Sequence, residues 1–230
     1  MVNDVASEGA KEGASEGVEE GREAFAAACE LLALSFRYPT PELVAVVSSG
    51  EWAEAAREIA TALGLALPAG WDAGADACAG SDPETLLHVL RVETTRLFVG
   101  APEPVVSPYE GVWRAADDGV QPLLFVNPHS MDVERFMRSC GIGRIEGTNE
   151  PLDHVATELE FVQWLSVVAR DGVPAPGGVE APDGGWAGAA DRFLSEHVQT
   201  WMPRFARKAV AESREPFYRS AAMLLEAFVR

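Results

Sequence analysis

Acidic side chains and one histidine that could bind a metal ion lie close together between residues 150 and 160. His154 and Glu158 are four residues apart, a spacing at which two side chains on one helix face can bind the same ion. With Asp153 beside them, they could form the centre of a metal-dependent hydrolase. The histidines of the chain are His88, His129, His154 and His197. Because no second close pair of ligands occurs, we predict no metal site and no catalytic residue, and we interpret His154 as a buried histidine satisfied by a hydrogen bond.

The segment that carries these side chains has the periodicity of a helix. At ~100° per residue, the segment from Pro151 to Arg170 has apolar side chains on two sides, which predicts a helix in the centre of a bundle. Asp153 and Glu160 lie on the narrow polar stripe that remains. Asp153 either binds a partner through its carboxylate or complements the helix dipole in the first turn. The sequence leaves both roles open.

Helical periodicity continues through almost the whole chain from Ala24, and strand-like alternation is nearly absent. Thr40 is placed to cap a helix with Pro41 in its first position, and Gly50 is expected to end that helix. The predicted helices are 24–37, 41–50, 51–63, 83–100, 130–140, 151–170, 193–201 and 217–229. We therefore predict an all-α fold, a single helical bundle.

Two further signals concern individual helix ends. Ser81 and Glu84 have the spacing of a capping box at the start of the helix predicted from residue 83. Pro203 is expected to break a helix near the end of the chain, and the proline-rich stretch 101–109 cannot be regular helix.

Two segments are predicted to be irregular. Residues 1–23 repeat Glu-Gly every four residues. Glycine is a poor helix former and like charges four residues apart repel, so we expect a disordered acidic tail before an all-helical domain over 24–230. Residues 171–188 contain three prolines and six glycines, which predicts a long irregular loop.

The charge of the chain excludes one class of partner. Its 230 residues carry 18 basic and 36 acidic side chains, a net charge of −18, and Lys11 and Lys208 are its lysines. Binding a nucleic-acid backbone requires a basic stripe that releases counterions. We therefore predict no nucleic-acid binding and expect any charged partner to be cationic.

The sequence also bears on the compartment. No run approaches the ~18 apolar residues that a membrane span requires, and acidic residues stand where a signal peptide would carry basic ones. Cys29, Cys78 and Cys140 are widely spaced and odd in number, which is typical of buried thiols in a reducing compartment. We expect a cytoplasmic protein without stable membrane insertion.

Three stretches resemble motifs of one family. Residues 150–154, Glu-Pro-Leu-Asp-His, are similar to the Glu-Pro-x-Asp-His signature of the TorD/DmsD family of molybdoenzyme maturation chaperones. Residues 96–100 and 107–113 are similar to its Leu-Phe-x-Gly helix end and its Pro-Pro-aromatic loop, with Ser107 in place of the first proline. Residues 193–219 are similar to its C-terminal helices. The resemblance covers about residues 24 to 229 and is closest to the dimethyl sulfoxide reductase chaperone branch.

The resemblance implies a function. It implies a cytoplasmic chaperone, monomer or homodimer, that is not an enzyme and holds no cofactor. Such a chaperone binds the twin-arginine leader, and also the body, of an immature molybdenum-containing oxidoreductase and holds it for cofactor insertion before export. The family also has a hinge before the C-terminal helices, here near 149–154. The alternatives are a chaperone of a non-exported nitrate-reductase-type subunit and, less favoured, the metal-dependent hydrolase.

Candidate leader-binding residues follow from the chemistry of such a leader, which has two guanidinium groups before an apolar segment. A receptor for it needs carboxylates beside an apolar groove, and an aromatic loop next to prolines forms a wall that loses little entropy on binding. The predicted peptide-binding residues are Asp153, His154, Glu150, Pro151, Pro108, Tyr109, Trp113 and Glu160. For Trp113, packing within the protein is an almost equally good interpretation.

Overall fold

The computed structural model describes residues 3–121, 127–144, 150–172 and 175–230, with side chains described from residue 17 onward apart from residue 18. These residues form eleven α-helices and no β-strand, which confirms the all-α prediction. The helices are α1 (Asn3–Phe36), α2 (Pro41–Ser49), α3 (Glu51–Ala62), α4 (Ala73–Asp76), α5 (Pro83–Thr94), α6 (Glu110–Asp117), α7 (Pro128–Ser139), α8 (Val155–Asp171), α9 (Gly185–Phe193), α10 (Gln199–Glu212) and α11 (Pro216–Phe228). Single π-helical turns extend α5 (Thr95–Val99) and join α9 to α10 (Leu194–Val198), and Pro176–Gly178 form a 3-10 turn.

Helix α8 lies in the centre of the bundle, as its two apolar sides predict. Val155, Leu159 and Val162 are fully buried on one side, and Phe161 and Leu165 are buried on the other. Helix α1 packs along α8, α9 packs on it as well, and α10 packs against α11. Burial of apolar surface on this scale, at ~25 cal/mol per Å², is the main force that holds the helices together.

Several helix ends lie where local sequence predicts them. The Thr40 hydroxyl accepts a hydrogen bond from the Leu43 N–H at the start of α2, and Gly50 ends that helix in the left-handed conformation with φ 90°. Left-handed backbone favours glycine because it has no Cβ. The predicted irregular loop 171–188 is helix at both of its ends, because α8 ends at Asp171 and α9 begins at Gly185.

Helix α1 differs from the sequence-based expectation. It begins at Asn3 rather than at Ala24, so residues 3–23 are helix where we expected a disordered tail. Alanine and glutamate between the glycines favour helix, and helix propagates readily from a packed segment such as 24–36. The Glu19 carboxylate also lies 3.8 Å from the Arg170 guanidinium.

Two other helix ends need correction. Asp82, not Ser81, caps α5, because its carboxylate accepts a hydrogen bond from the Thr85 N–H at 2.9 Å. Pro203 lies inside α10 rather than breaking it. A single proline removes one backbone hydrogen bond of the helix, and the packing of α10 against α11 retains the helix around it.

The hinge predicted near 149–154 begins at residue 149, which belongs to the stretch 145–149 outside the described residues. Among the helices described here, none is both long enough and apolar enough to cross a membrane.

Candidate peptide-binding cleft

Two segments that are distant in sequence pair at the centre of the site. The Glu110 N–H donates to the Asp153 carbonyl and the Val155 N–H donates to the Pro108 carbonyl, each at 2.9 Å. These bonds form one antiparallel bridge between Tyr109 and His154. The bridge therefore fixes the start of α6 beside the start of α8.

Asp153 lies beneath this bridge and is fully buried. Its Oδ2 atom accepts hydrogen bonds from the Gly111 N–H at 2.9 Å and from the Ser130 hydroxyl at 2.6 Å. Its Oδ1 atom has no partner within the described residues. Burial raises the pKa of this carboxyl above its ordinary value. The prediction that Asp153 faces a peptide therefore needs correction, since a carboxylate enclosed by these contacts is not accessible to a ligand.

His154 caps helix α8. Its Nδ1 atom accepts a hydrogen bond from the Ala156 N–H at 3.2 Å, and the ring packs edge-on against the Tyr109 ring with centroids 5.3 Å apart. Burial, together with the nearby Arg37 charge, lowers the pKa of His154 to about 3, so the imidazole is neutral. The interpretation of His154 as a buried, hydrogen-bonded histidine is confirmed.

Two further carboxyls are buried next to this pairing. Glu158 is fully buried, and its Oε2 atom accepts a hydrogen bond from the Trp201 indole N–H at 3.0 Å. Burial, and the nearby charge of Glu110, raise the pKa of Glu158 well above its ordinary value. Glu110 is also fully buried, and Arg114 Nη1 and His197 Nδ1 each lie 3.0 Å from its oxygens.

The predicted peptide-binding residues do not include this buried acidic network, and Glu158 was considered only as a metal ligand. The burial of Glu158 could nevertheless be predicted from the sequence. Glu158 lies three residues after Val155 and four before Val162, so helical periodicity alone puts it on a buried face. Glu110 carried no comparable signal. In the part of the chain that the structure describes, no three His, Cys, Asp or Glu side chains are arranged to hold a metal ion.

A cleft of about 320 Å³ opens beside the Tyr109–His154 bridge. It contains four of the predicted residues: Glu150, His154, Pro108 and Tyr109. The other lining residues are Phe36, Arg37, Tyr38, Thr40, Thr94, Phe98 and Val99. Tyr38 and Val99 have 52% and 59% of their surface exposed, so the mouth of the cleft offers apolar area to a ligand. Burial, and the carboxylates of Glu150 and Asp153, raise the pKa of Tyr109 to about 12, so its hydroxyl stays neutral.

The remaining predicted residues lie elsewhere. Pro151 is buried and does not line the cleft. Trp113 is on α6, where its indole N–H donates to the Ser107 carbonyl at 2.8 Å and its ring faces the cations of Arg204 and Lys208, each 5.8 Å from the centroid. The packing interpretation of Trp113 is therefore favoured over a leader contact, because two side chains of α10 lie against its half-buried ring.

Glu160 lies on the exposed face of α8 and pairs with Arg37. The Arg37 Nε donates to one carboxylate oxygen of Glu160 at 2.8 Å, and its Nη2 donates to the other. This pair borders a second groove, of about 380 Å³, next to the cleft.

Comparison with known proteins agrees with the motifs. A family model described as nitrate reductase delta subunit matches residues 49–207, more than half of the chain. The chain belongs to the nitrate reductase delta subunit (TorD) family. That span includes the cleft residues Phe98, Pro108, Tyr109, Glu150 and His154.

Individual members of the TorD family are similar over a shorter stretch. The chaperone protein TorD of Photobacterium profundum is 29% identical over 132 residues, which cover 57% of this chain and 56% of that protein. The selenate reductase assembly chaperone protein of Thauera selenatis is 31% identical over 135 residues, covering 56% of this chain and 62% of that protein. The chaperone protein TorD of Shewanella loihica is 23% identical over 149 residues, covering 64% and 62%. The chain thus spans little more than half the length of these curated relatives.

These TorD-family relatives are named as chaperones, which supports the prediction that this chain is not an enzyme. Their names refer to TorD and to selenate reductase assembly. The closer resemblance to the dimethyl sulfoxide reductase chaperone branch therefore stays a prediction.

Proposed function

We propose that this chain is a cytoplasmic maturation chaperone that binds the twin-arginine leader of an immature molybdenum-containing oxidoreductase and holds it for cofactor insertion before export. The TorD-family membership and the chaperone names of its relatives support the first part. The cleft beside Tyr109 and His154 carries the second part, because it combines an apolar wall with a carboxylate, Glu150, at its rim.

The wall and the rim contribute differently to binding. Val99 and Tyr109 supply accessible apolar area, whereas Phe98 and Pro108 are themselves buried. Burying apolar area contributes ~25 cal/mol per Å². An exposed ion pair at Glu150 contributes only ~0.2–1 kcal/mol. The net charge of −18 accelerates encounter with a cationic leader. We therefore expect the affinity to depend mainly on the wall and the association rate to fall with salt.

Peptide binding tests the proposal. The probe is a dye-labelled synthetic peptide with two adjacent arginines followed by an apolar segment, and fluorescence anisotropy gives its Kd. Tyr109→Ala is expected to weaken binding about tenfold, or ~1.4 kcal/mol, as for an aromatic anchor in an interface. Glu150→Gln is expected to lower the association rate and its salt dependence. Glu84→Gln, an exposed acid at the start of α5 that does not line the cleft, is the matched control.

A peptide with the same composition in scrambled order gives the background. If the leader peptide binds no better than this scrambled peptide, the leader-binding part of the proposal is wrong. Affinity capture of the tagged chain from anaerobically grown cells then tests the chaperone part. Recovery of a large molybdopterin subunit with its leader uncut is the result expected.

A second candidate is a chaperone of a non-exported nitrate-reductase-type subunit, whose basic and apolar tail replaces the twin-arginine leader. The nitrate reductase delta subunit description of the matching family favours this candidate. Replacing both arginines of the probe with lysine separates the two. A large loss of affinity supports the twin-arginine leader, and a small loss supports the second candidate.

A further inference from the structure

The second groove adjoins the cleft and shares lining residues with it. Arg37, Tyr38 and Thr40 line both. Ala33 and Leu34 of α1 give the groove an apolar floor, and Glu30, Glu160 and Gln163 form its polar side. The two depressions together offer an apolar part beside Tyr109 and a part that carries two exposed carboxylates.

A guanidinium group already occupies the acidic part. The Arg37 guanidinium contacts both oxygens of Glu160, and its Nη2 also donates to the Thr157 hydroxyl at 3.2 Å. This two-point geometry is the one that arginine and a carboxylate adopt in bidentate pairs. The side chains of Arg37 and Glu160 are 36% and 46% exposed, so the pair can exchange with a ligand. An exposed pair of this kind contributes little to stability.

We infer that this groove is the subsite for the arginine end of the leader, and that Arg37 is an internal competitor that occupies it in the free protein. A leader guanidinium replaces Arg37 on Glu160 in the same two-point geometry. Glu30, whose carboxylate accepts a hydrogen bond from the Gln163 amide at 3.0 Å, receives the adjacent arginine. This inference rests on the proposed function.

Charge and continuity favour this occupant over a second copy of the chain. A groove with two exposed carboxylates repels a protein of net charge −18 and attracts a cationic segment. The order of a leader, arginines first and apolar residues next, matches the order of the acidic groove and the apolar cleft. A lysine ammonium makes a single-point contact with a carboxylate and competes less well with the Arg37 fork.

The test removes the competitor. Arg37→Gln is expected to tighten binding of the twin-arginine probe about threefold, because the ligand no longer displaces an exposed ion pair. Glu160→Gln is expected to weaken binding by a similar factor, and in the double variant the gain from Arg37→Gln disappears. Arg207→Gln removes a more exposed arginine, 56% exposed against 36% for Arg37, that lines neither depression, and it should leave the Kd unchanged. Thermal melting of each variant checks that the fold is retained.

A second probe tests the subsite without the leader. Methylguanidinium is titrated into the protein while the NMR signal of the Arg37 Nε–H is followed, and a saturable shift that is absent from Glu160→Gln is expected. If Arg37→Gln leaves the Kd of the leader peptide unchanged or weakens it, the competitor role is wrong while the proposed function stands. If methylguanidinium shifts the signal but no leader peptide binds any variant, the groove is a guanidinium subsite and the proposed function is wrong. Absence of both effects overturns both.

Discussion

The Asp153 carboxylate accepts a hydrogen bond from the backbone N–H of Gly111 at 2.9 Å and thereby ties the first turn of α6 to the residue before the α8 cap. The same oxygen accepts from Ser130 of α7, so one buried side chain joins three helix starts. The Asn127 amide adds a bond to the Gly111 carbonyl at 2.6 Å. This arrangement positions the wall of the cleft through its interior rather than at its surface.

Asp153→Ala should destabilise the fold without changing leader affinity. The substitution leaves the Gly111 N–H and the Ser130 hydroxyl without an acceptor, at a cost of ~1–3 kcal/mol in free energy of unfolding. Asp153→Asn keeps an acceptor oxygen and should cost less. Urea titration measures stability and anisotropy measures affinity, with the exposed Asp132→Ala as control. A loss of leader affinity in Asp153→Asn with unchanged stability would restore the recognition role of this carboxylate.

Gly111→Ala should destabilise the protein by overpacking. A Cβ at this position would lie 2.3 Å from the Ser130 Oγ and 3.0 Å from the Asp153 Oδ2. Overpacking of this kind costs ~1–3 kcal/mol. Ser130→Ala in the same chain should recover part of the loss, because it removes the nearest atom. Gly188→Ala in α9 is the control, since its Cβ meets nothing within 4 Å and alanine favours helix by ~0.5–1 kcal/mol.

Glu158→Gln should flatten the pH dependence of stability. The raised pKa of Glu158 means that the folded protein keeps a proton there which the unfolded chain releases above its ordinary value of 4.5. The stability contributed by that proton is present below pH 4.5 and is lost as pH rises through the raised folded pKa. Glutamine cannot ionise, and its amide oxygen can still accept from Trp201.

Melting temperatures of the wild type and Glu158→Gln over a pH series measure this effect. The difference between the two proteins isolates Glu158, because Asp153 shifts stability in the same direction in both. Glu84→Gln, an exposed acid, should follow the wild-type curve. Parallel curves for wild type and Glu158→Gln would mean that Glu158 is ionised in the folded protein at neutral pH.

His154→Ala should lower stability through loss of the α8 cap, by ~0.5–2 kcal/mol, whereas His154→Asn should restore most of it because asparagine is a good cap. The pKa of His154 is lowered to about 3 from 6.5, so the unfolded chain binds a proton between those values that the folded protein does not. Stability from His154 is therefore complete above pH 6.5 and is lost as pH falls toward 3. As pH falls from 6.5 toward 3, the denaturant midpoint of His154→Asn should fall less than that of the wild type. Equal falls in both proteins would contradict the neutral, buried imidazole.

Local sequence determined much of this protein. The apolar residues of 151–170 repeat on two sides of a helix, so the central position of α8 follows from periodicity, and so does the burial of His154 among apolar neighbours. Thr40 and Gly50 define α2 because a cap and a left-handed glycine act on residues within one turn. Three short motifs were also enough to indicate the family to which the chain belongs.

Tertiary structure decided which candidate residues are accessible. Asp153 is enclosed by Gly111 and Ser130, which are 42 and 23 residues away in sequence, and Arg37 meets Glu160 across 123 residues. The Trp113 ring lies against Arg204 and Lys208 of α10, which are distant from it in sequence. Periodicity assigns a side chain to a face of its own helix. Whether that face meets solvent or another helix depends on segments that are far apart in sequence and adjacent only in the folded bundle.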